Sequence, residues 1–223
     1  RGRRLRPADA GDSGRGRELG RTTSARGKPY SISTQRWHLQ AVKRLFAFLA
    51  EKGVLLQDPA LDLALPPWRQ LPRALLNQEQ ARRLVAHPSP FTLRGKRNRA
   101  ILELLYGTGI RVSECERLDV RDLDLAQGHV LIRDGKGKKD RVVPVVGRAV
   151  EALDRYLHEA RPELLKEPRE SALFLTRRGT RVSVKNIQYL VRMNARAAGI
   201  PAPVTPHGLR HGCATHLLQG GAD

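Results

Sequence analysis

The sequence predicts a mainly α-helical fold with a small antiparallel β-sheet, an α+β class, and three observations predict it. Several stretches repeat apolar residues at spacings of three and four, the period of an amphipathic helix. One stretch, 129–145, changes to the period of a strand and turns over a Gly-Lys tip, as a hairpin does. The segment 57–73 carries Pro59, Pro66, Pro67 and Pro72, so it breaks the helical pattern and marks a boundary between two parts of the chain.

Taken in order, residues 1–27 hold eight Arg and six Gly and no aromatic, which reads as a basic, disordered tail. Residues 28–66 form a first helical part. Its helix, 34–52, shows Val42, Leu45, Phe46 and Leu49 as an apolar stripe expected to be core, and Gly53 stops it. Arg36, Lys43 and Arg44 fall largely off that stripe and give the helix a basic side. Residues 67–73 read as the linker, because Pro66-Pro67 cannot continue a helix.

The remaining part, 74–223, opens with Asn77 and Gln80 in a capping-box spacing, heading a helix to about Ala86. A second helix, about Lys96–Tyr106, uses Ile101, Leu102, Leu104 and Leu105 as its core face and is broken by Gly107 and Gly109. A short helix follows from about Val112 to Leu118. Strands are expected at 129–133 and 141–145, with a basic turn at 135–139 between them. A helix at about 148–160 precedes a short strand, Ala172–Thr176, and a turn at Arg178-Gly179. Ser183 caps a helix whose face is Ile187, Leu190, Val191 and Ala198, with Gly199 in the position of a C-terminal cap. Thr205-Pro206 opens a last helix as N-cap and first residue.

Composition narrows the function. Lys and Arg number 41 against 22 Asp and Glu, a net charge of +19, and 32 of the 41 cations are Arg. A polyanion is the natural partner, since cations release counterions from nucleic-acid phosphate and Arg forks match phosphate geometry; a merely solvated basic surface is the competing reading. No apolar run approaches a membrane span and no secretory signal pattern opens the chain, so no membrane partner and a cytoplasmic location are the expectations. Cys115 and Cys213 stand alone, without the spacing of a disulfide framework or a zinc site.

Three segments carry chemistry. In Thr205-Pro206-His207-Gly208-Leu209-Arg210-His211, spacings of three and four place His207, Arg210 and His211 on one helical face near a helix N-terminus, where an anion is favoured. His207 alone reads equally as a capping-region histidine, and His211 as a structural one. His-x-x-x-His also allows zinc, but the Glu of the metalloprotease pattern and a third ligand are missing. In Tyr106-Gly107-Thr108-Gly109-Ile110-Arg111-Val112-Ser113-Glu114, Arg111 follows a glycine-broken helix end, and Glu114 can reach back to its guanidinium; a surface ion pair is the alternative. The glycines match neither a Walker nor a dinucleotide loop. The tip Lys136-Gly137-Lys138-Lys139, with Arg141, offers four cations to a groove or a phosphate, or is a solvated turn.

The order of these segments, Gly-Thr-Gly-Ile-Arg-Val-Ser-Glu, then Gly-Lys-Gly-Lys-Lys-Asp-Arg, then Pro-His-Gly-Leu-Arg-His, resembles the tyrosine recombinases of the phage-integrase family, most closely the Xer and integron-integrase branch. The likeness runs from about Ser31 to Asp223. It implies that 28–66 is part of a helical core-binding domain and that 74–223 is the catalytic domain, incomplete at its C-terminus. It also implies roles. Arg111 and Arg210 correspond to the arginines that grip the scissile phosphate. Lys136 corresponds to the lysine that protonates the leaving 5′-oxygen, and His207 to the histidine that assists proton transfer. Glu114 supports the first arginine, and His211 is a supporting residue. Lys138, Lys139 and Arg141 join Arg36, Lys43 and Arg44 as expected DNA contacts. The family implies double-stranded DNA as partner, no cofactor or metal, and a homo-oligomer on DNA when complete.

The family's second histidine (or tryptophan) and nucleophilic tyrosine follow a Gly-Ala-Asp segment. Here that segment is Gly221-Ala222-Asp223, and Tyr30, Tyr106, Tyr156 and Tyr189 all precede the His207 helix. The chain is therefore expected to be a fragment that binds duplex DNA without cleaving it. A non-catalytic DNA-binding regulator on the same scaffold, or a basic structural protein of ribosome or nucleoid, are the rival readings.

Overall fold

The computed structural model describes residues 28–67, 76–133 and 140–219, and divides the chain into two compact units, Arg1–Pro72 and Arg73–Asp223. The expected tail at 1–27, the tip bearing Lys136, Lys138 and Lys139, and Gly220–Asp223 lie outside the described residues.

In the first unit, helix α1 spans Ile32–Glu51, capped by the Ser31 hydroxyl, which accepts the Thr34 backbone N–H at 3.3 Å. Its buried apolar residue is Leu39, joined by Ala60 from the segment that follows. The expected core stripe is corrected: Leu45 is 55% exposed, and Val42, Phe46 and Leu49 are only half-buried. One helix and an extended segment offer too little opposing surface to bury both sides of an amphipathic helix. The segment is instead strapped to α1 by side chains. Lys43 Nζ donates to the carbonyls of Leu61 (2.7 Å) and Leu63 (3.1 Å), and Arg36 donates to that of Pro66.

The second unit contains the main core. Helix α2, Gln78–Ala86, begins at the capping box read from the sequence: Asn77 Oδ1 accepts the Gln80 N–H at 2.8 Å, and Gln80 Oε1 accepts the Asn77 N–H at 3.1 Å. Helix α3, Leu93–Thr108, starts three residues earlier than the apolar pattern suggests, because Thr92 caps it through the Gly95 N–H at 3.0 Å. Gly95 is required there by space: a Cβ would come 1.9 Å from the Ser89 carbonyl oxygen. Ala100, Ile101, Leu102, Leu104 and Leu105 are all essentially inaccessible, so α3 is the central helix, packed by α2, α5 and α8. Glu103 is buried on it too, and burial pushes its carboxyl above the usual range. The helix runs through Gly107; Gly109 alone ends it, at φ +60°, a left-handed conformation that L side chains avoid.

Helix α4, Val112–Arg117, leads by a 3₁₀ turn into a three-stranded antiparallel sheet: β1 Leu123–Asp124, β2 His129–Ile132 and β3 Arg141–Pro144, in that order. The hairpin register pairs Ile132 with Arg141 and His129 with Pro144. Val130 and Ile132 point into the core, while Pro144 sits on an edge strand, where its missing N–H costs nothing. β1 is too short for a period-two signal and was not expected.

Helix α5, Arg148–Arg155, passes through a π turn, Tyr156–Ala160, into α6, Arg161–Leu164, so this helix extends beyond the expected 160. At the junction the Arg161 N–H reaches back to the Tyr156 carbonyl, just ahead of Pro162, which has no N–H to give. The expected strand Ala172–Thr176 is replaced by two isolated bridges, Asp119 with Ala172 and Leu175 with Arg181. Its backbone groups are satisfied elsewhere. The Tyr156 hydroxyl donates to the Leu173 carbonyl (3.1 Å) and accepts the Leu175 N–H (3.0 Å), inside the core. Helix α7, Val184–Ala197, buries Ile187, Leu190, Val191 and Ala195; Ala198 follows it as half-buried C-cap, and Gly199 adopts φ +71°. Helix α8, Pro206–Gln219, begins as read: Thr205 Oγ1 accepts the Gly208 N–H at 3.1 Å.

Candidate phosphate-binding site

Two of the sequence-predicted arginines are placed by the joint between α3 and α4. Arg210, one turn into α8, donates from its guanidinium to the carbonyl of Gly109. Arg111 is the N-cap of α4, two residues further along the same backbone. The left-handed Gly109 turns the chain so that α8 can approach: a Cβ on it would lie 3.4 Å from Cys213 Sγ and 3.9 Å from Arg210 Cγ. A second tie between the same elements is the hydrogen bond between the Tyr106 hydroxyl and His216 Nδ1, at 3.0 Å.

Glu114 is the electrostatic centre of the site. It is buried, 3% exposed, yet four donors converge on it. Oε1 accepts from Arg111 Nη1 (2.8 Å) and Arg141 Nη1 (3.1 Å). Oε2 accepts from the Arg111 backbone N–H (2.7 Å) and Arg141 Nη2 (2.7 Å). A carboxylate has about four lone-pair sites, so Glu114 is saturated. Burial pushes its carboxyl up, but the Arg141 fork, the Arg111 backbone N–H and the single bond from the Arg111 guanidinium together outweigh that and hold it at about 2, far below 4.5. The expected Arg111–Glu114 contact is present. Arg141, expected on DNA, has both terminal nitrogens on Glu114.

The remaining predicted residues divide. His207 and His211 are exposed on α8, and Arg210 is half-buried between them in sequence. In the first unit Arg44 is exposed on α1, whereas Arg36 and Lys43 hold backbone carbonyls as described. Lys136, Lys138 and Lys139 are not among the described residues.

A network beside Glu114 escaped the sequence reading. Arg133 Nε holds Asp122 at 2.7 Å, and Arg181 Nη2 holds Asp119 at 2.6 Å. Arg181 also donates to the carbonyls of Glu116 and Leu118, at 2.8 and 2.9 Å. With Glu114, Arg117 and Ile132 these side chains line a recess of about 370 Å³. A local signal existed only for Asp119 and Asp122, whose spacing of three allows the Asp119 N–H to meet Asp122 Oδ2 at 2.9 Å. The arginines come from other elements. Chemically, the site offers fixed guanidinium groups suited to an oxyanion with non-bridging oxygens to neutralise.

Known proteins resemble this chain in sequence and in fold. The model of the phage integrase family matches residues 74–223. A tyrosine recombinase, XerC 2, of Ralstonia nicotianae is 44% identical over 198 residues, covering 88% of this chain and 57% of the relative; the chain thus spans less than two thirds of that protein's length. The crystal structure of XerA recombinase superposes with a TM-score of 0.62 at 32% identity, covering 87% of this chain and 65% of that one. The XerH site-specific recombinase, in a post-cleavage complex with a palindromic difH substrate, gives a TM-score of 0.64 at 26% identity, covering 86% and 56%.

Proposed function

Because the chain belongs to the phage integrase family of tyrosine recombinases, we propose that it binds duplex DNA and holds one backbone phosphate between Arg111 and Arg210. The observation that carries this is the seating of Arg210 on the Gly109 carbonyl, two residues ahead of an Arg111 already fixed on Glu114. Related XerH is bound to a DNA substrate, which supports the same partner here.

In the complete reaction a tyrosine oxygen attacks the scissile phosphorus. The bond to the 5′-oxygen breaks as the bond to tyrosine forms, and the phosphotyrosine stores the energy needed to rejoin strands. Arg111 and Arg210 neutralise the non-bridging oxygens in that step. His207 takes the tyrosine proton with His211 in support, and Lys136 protonates the departing 5′-oxygen; a positioned acid of this kind contributes roughly 10²–10⁴-fold. Lys138, Lys139 and Arg44 contact the duplex backbone. Tyr156 is excluded as nucleophile by its burial and its two core hydrogen bonds, and Tyr30, Tyr106 and Tyr189 precede the His207 helix, ahead of the place the nucleophile takes in the family. Residues 1–223 alone are therefore expected to bind without forming a covalent adduct.

Duplex binding measured by fluorescence anisotropy over a range of salt tests the reading. Arg111→Ala and Arg210→Ala should each weaken binding about tenfold and reduce the slope of log K against log salt by about 0.9, the value for one lost phosphate contact. Wild-type affinity and slope in both variants would remove the phosphate site. A gel-stable protein–DNA adduct on a nicked suicide substrate would show that one of the four tyrosines cuts.

A further inference from the structure

We propose that Arg141 is a positioning residue for Arg111, acting through the Glu114 carboxylate they share, and not a DNA contact. The proposal rests on the phosphate-binding reading above but stands on geometry independent of it. Arg141 opens β3 and is paired in register with Ile132, so it marks one foot of the hairpin. Its guanidinium is a fork with both terminal nitrogens on the two oxygens of Glu114. Glu114 in turn holds both the side chain and the backbone N–H of Arg111. One buried carboxylate thus fixes the hairpin foot, the start of α4 and the phosphate-facing arginine in a single arrangement.

Sharing also sets where the Arg111 guanidinium points. Arg141 occupies one site on each Glu114 oxygen, which leaves Arg111 Nη1 a single place on Oε1. Its other side-chain nitrogens have no protein acceptor among the described residues, and the side chain is 41% exposed. Without Arg141, two sites of a nearly inaccessible carboxylate fall open. An unpaired buried acceptor is costly, so Arg111 turns inward to fill them and withdraws from the phosphate. Lysine does not substitute, because a single ammonium cannot span both oxygens as a planar fork does.

Three variants test this, with two measurements each: Arg141→Lys, Arg141→Ala, and Arg141→Ala combined with Arg111→Ala. Amide hydrogen exchange by NMR on the free protein reads the positioning itself. The Arg111 N–H should exchange about tenfold faster in Arg141→Lys and Arg141→Ala, as expected for a weakened charge-assisted bond, while Leu104 in α3 keeps its protection. Arg141→Lys retains the charge and serves where Arg141→Ala does not fold. Duplex binding then reads the consequence. Arg141→Lys should lose about five- to tenfold although its charge is kept, and Arg141→Ala should add less than about twofold to an Arg111→Ala protein, since residues acting as one unit are not additive. Unchanged Arg111 exchange in both single variants overturns the proposal. Where Arg111→Ala itself weakens binding, near-wild-type duplex binding by Arg141→Lys overturns it too, as does a multiplicative loss in the double variant with a further fall in salt slope, for these mark a direct phosphate contact. If Arg111→Ala instead binds duplex like wild type while exchange is accelerated as expected, the positioning holds and the DNA reading falls.

Discussion

At the scale of single residues, Glu114 makes the protein's stability depend on acid. Its carboxyl titrates at about 2 when folded and near 4.5 in the ordinary state. A depressed value means that the pairing stabilises the fold at any pH above 4.5 and is lost as pH falls from 4.5 towards 2. The shift corresponds to something on the order of 3 kcal/mol. Glu114→Gln should therefore lower stability near neutrality, with the difference from wild type shrinking as pH drops through that window; urea denaturation at several pH values measures it. A gap between the two proteins that stays constant down to pH 2 would assign the acid sensitivity to another group. The link between Glu114 and Arg111 was legible in the sequence because three residues separate them. The link to Arg141 was not, because Arg141 lies 27 positions further along the chain, across a hairpin, and no local period reports such pairs. The carbonyl contacts of Arg36 and Lys43 were illegible for a related reason: lying off an apolar stripe shows only that a cation avoids the core, and their acceptors belong to a later segment.

Among elements, the α3–α4 joint decides where Arg111 stands. Gly109→Ala forces a side chain into a left-handed conformation, costing about 1–2 kcal/mol, and sets a Cβ against Cys213 Sγ at 3.4 Å. The variant is expected to unfold at lower denaturant by that amount and to bind duplex more weakly than wild type; unchanged affinity would mean that the joint does not govern the site. Helices were read well where caps are local, as at Asn77, Ser183 and Thr205, since each needs only residues within one turn. Ala172–Thr176 was read as a strand because it is a short apolar run. Burial explains such a run as well as pairing does, and here the Tyr156 hydroxyl takes the place of a neighbouring strand. The π turn had no sequence signal beyond Pro162.

For the molecule as a whole, the main core is built from residues between Leu76 and Leu209, all in the second unit, whereas the first unit fully buries only Leu39 and Ala60 of its described apolar residues. Fragment 73–223 should show a cooperative thermal transition by itself and fragment 1–72 should not, because so small a core cannot offset chain entropy; calorimetry on the two pieces decides. Each fragment keeps a share of the whole chain's positive excess and so binds polyanions loosely, which leaves the salt slope and not bare affinity to identify a phosphate site. Within that site, the carbonyl that receives Arg210 belongs to the backbone link just short of Arg111. Three consecutive residues thus carry the acceptor for one guanidinium and the root of the other, so any change that reshapes that short stretch of main chain displaces both side chains together.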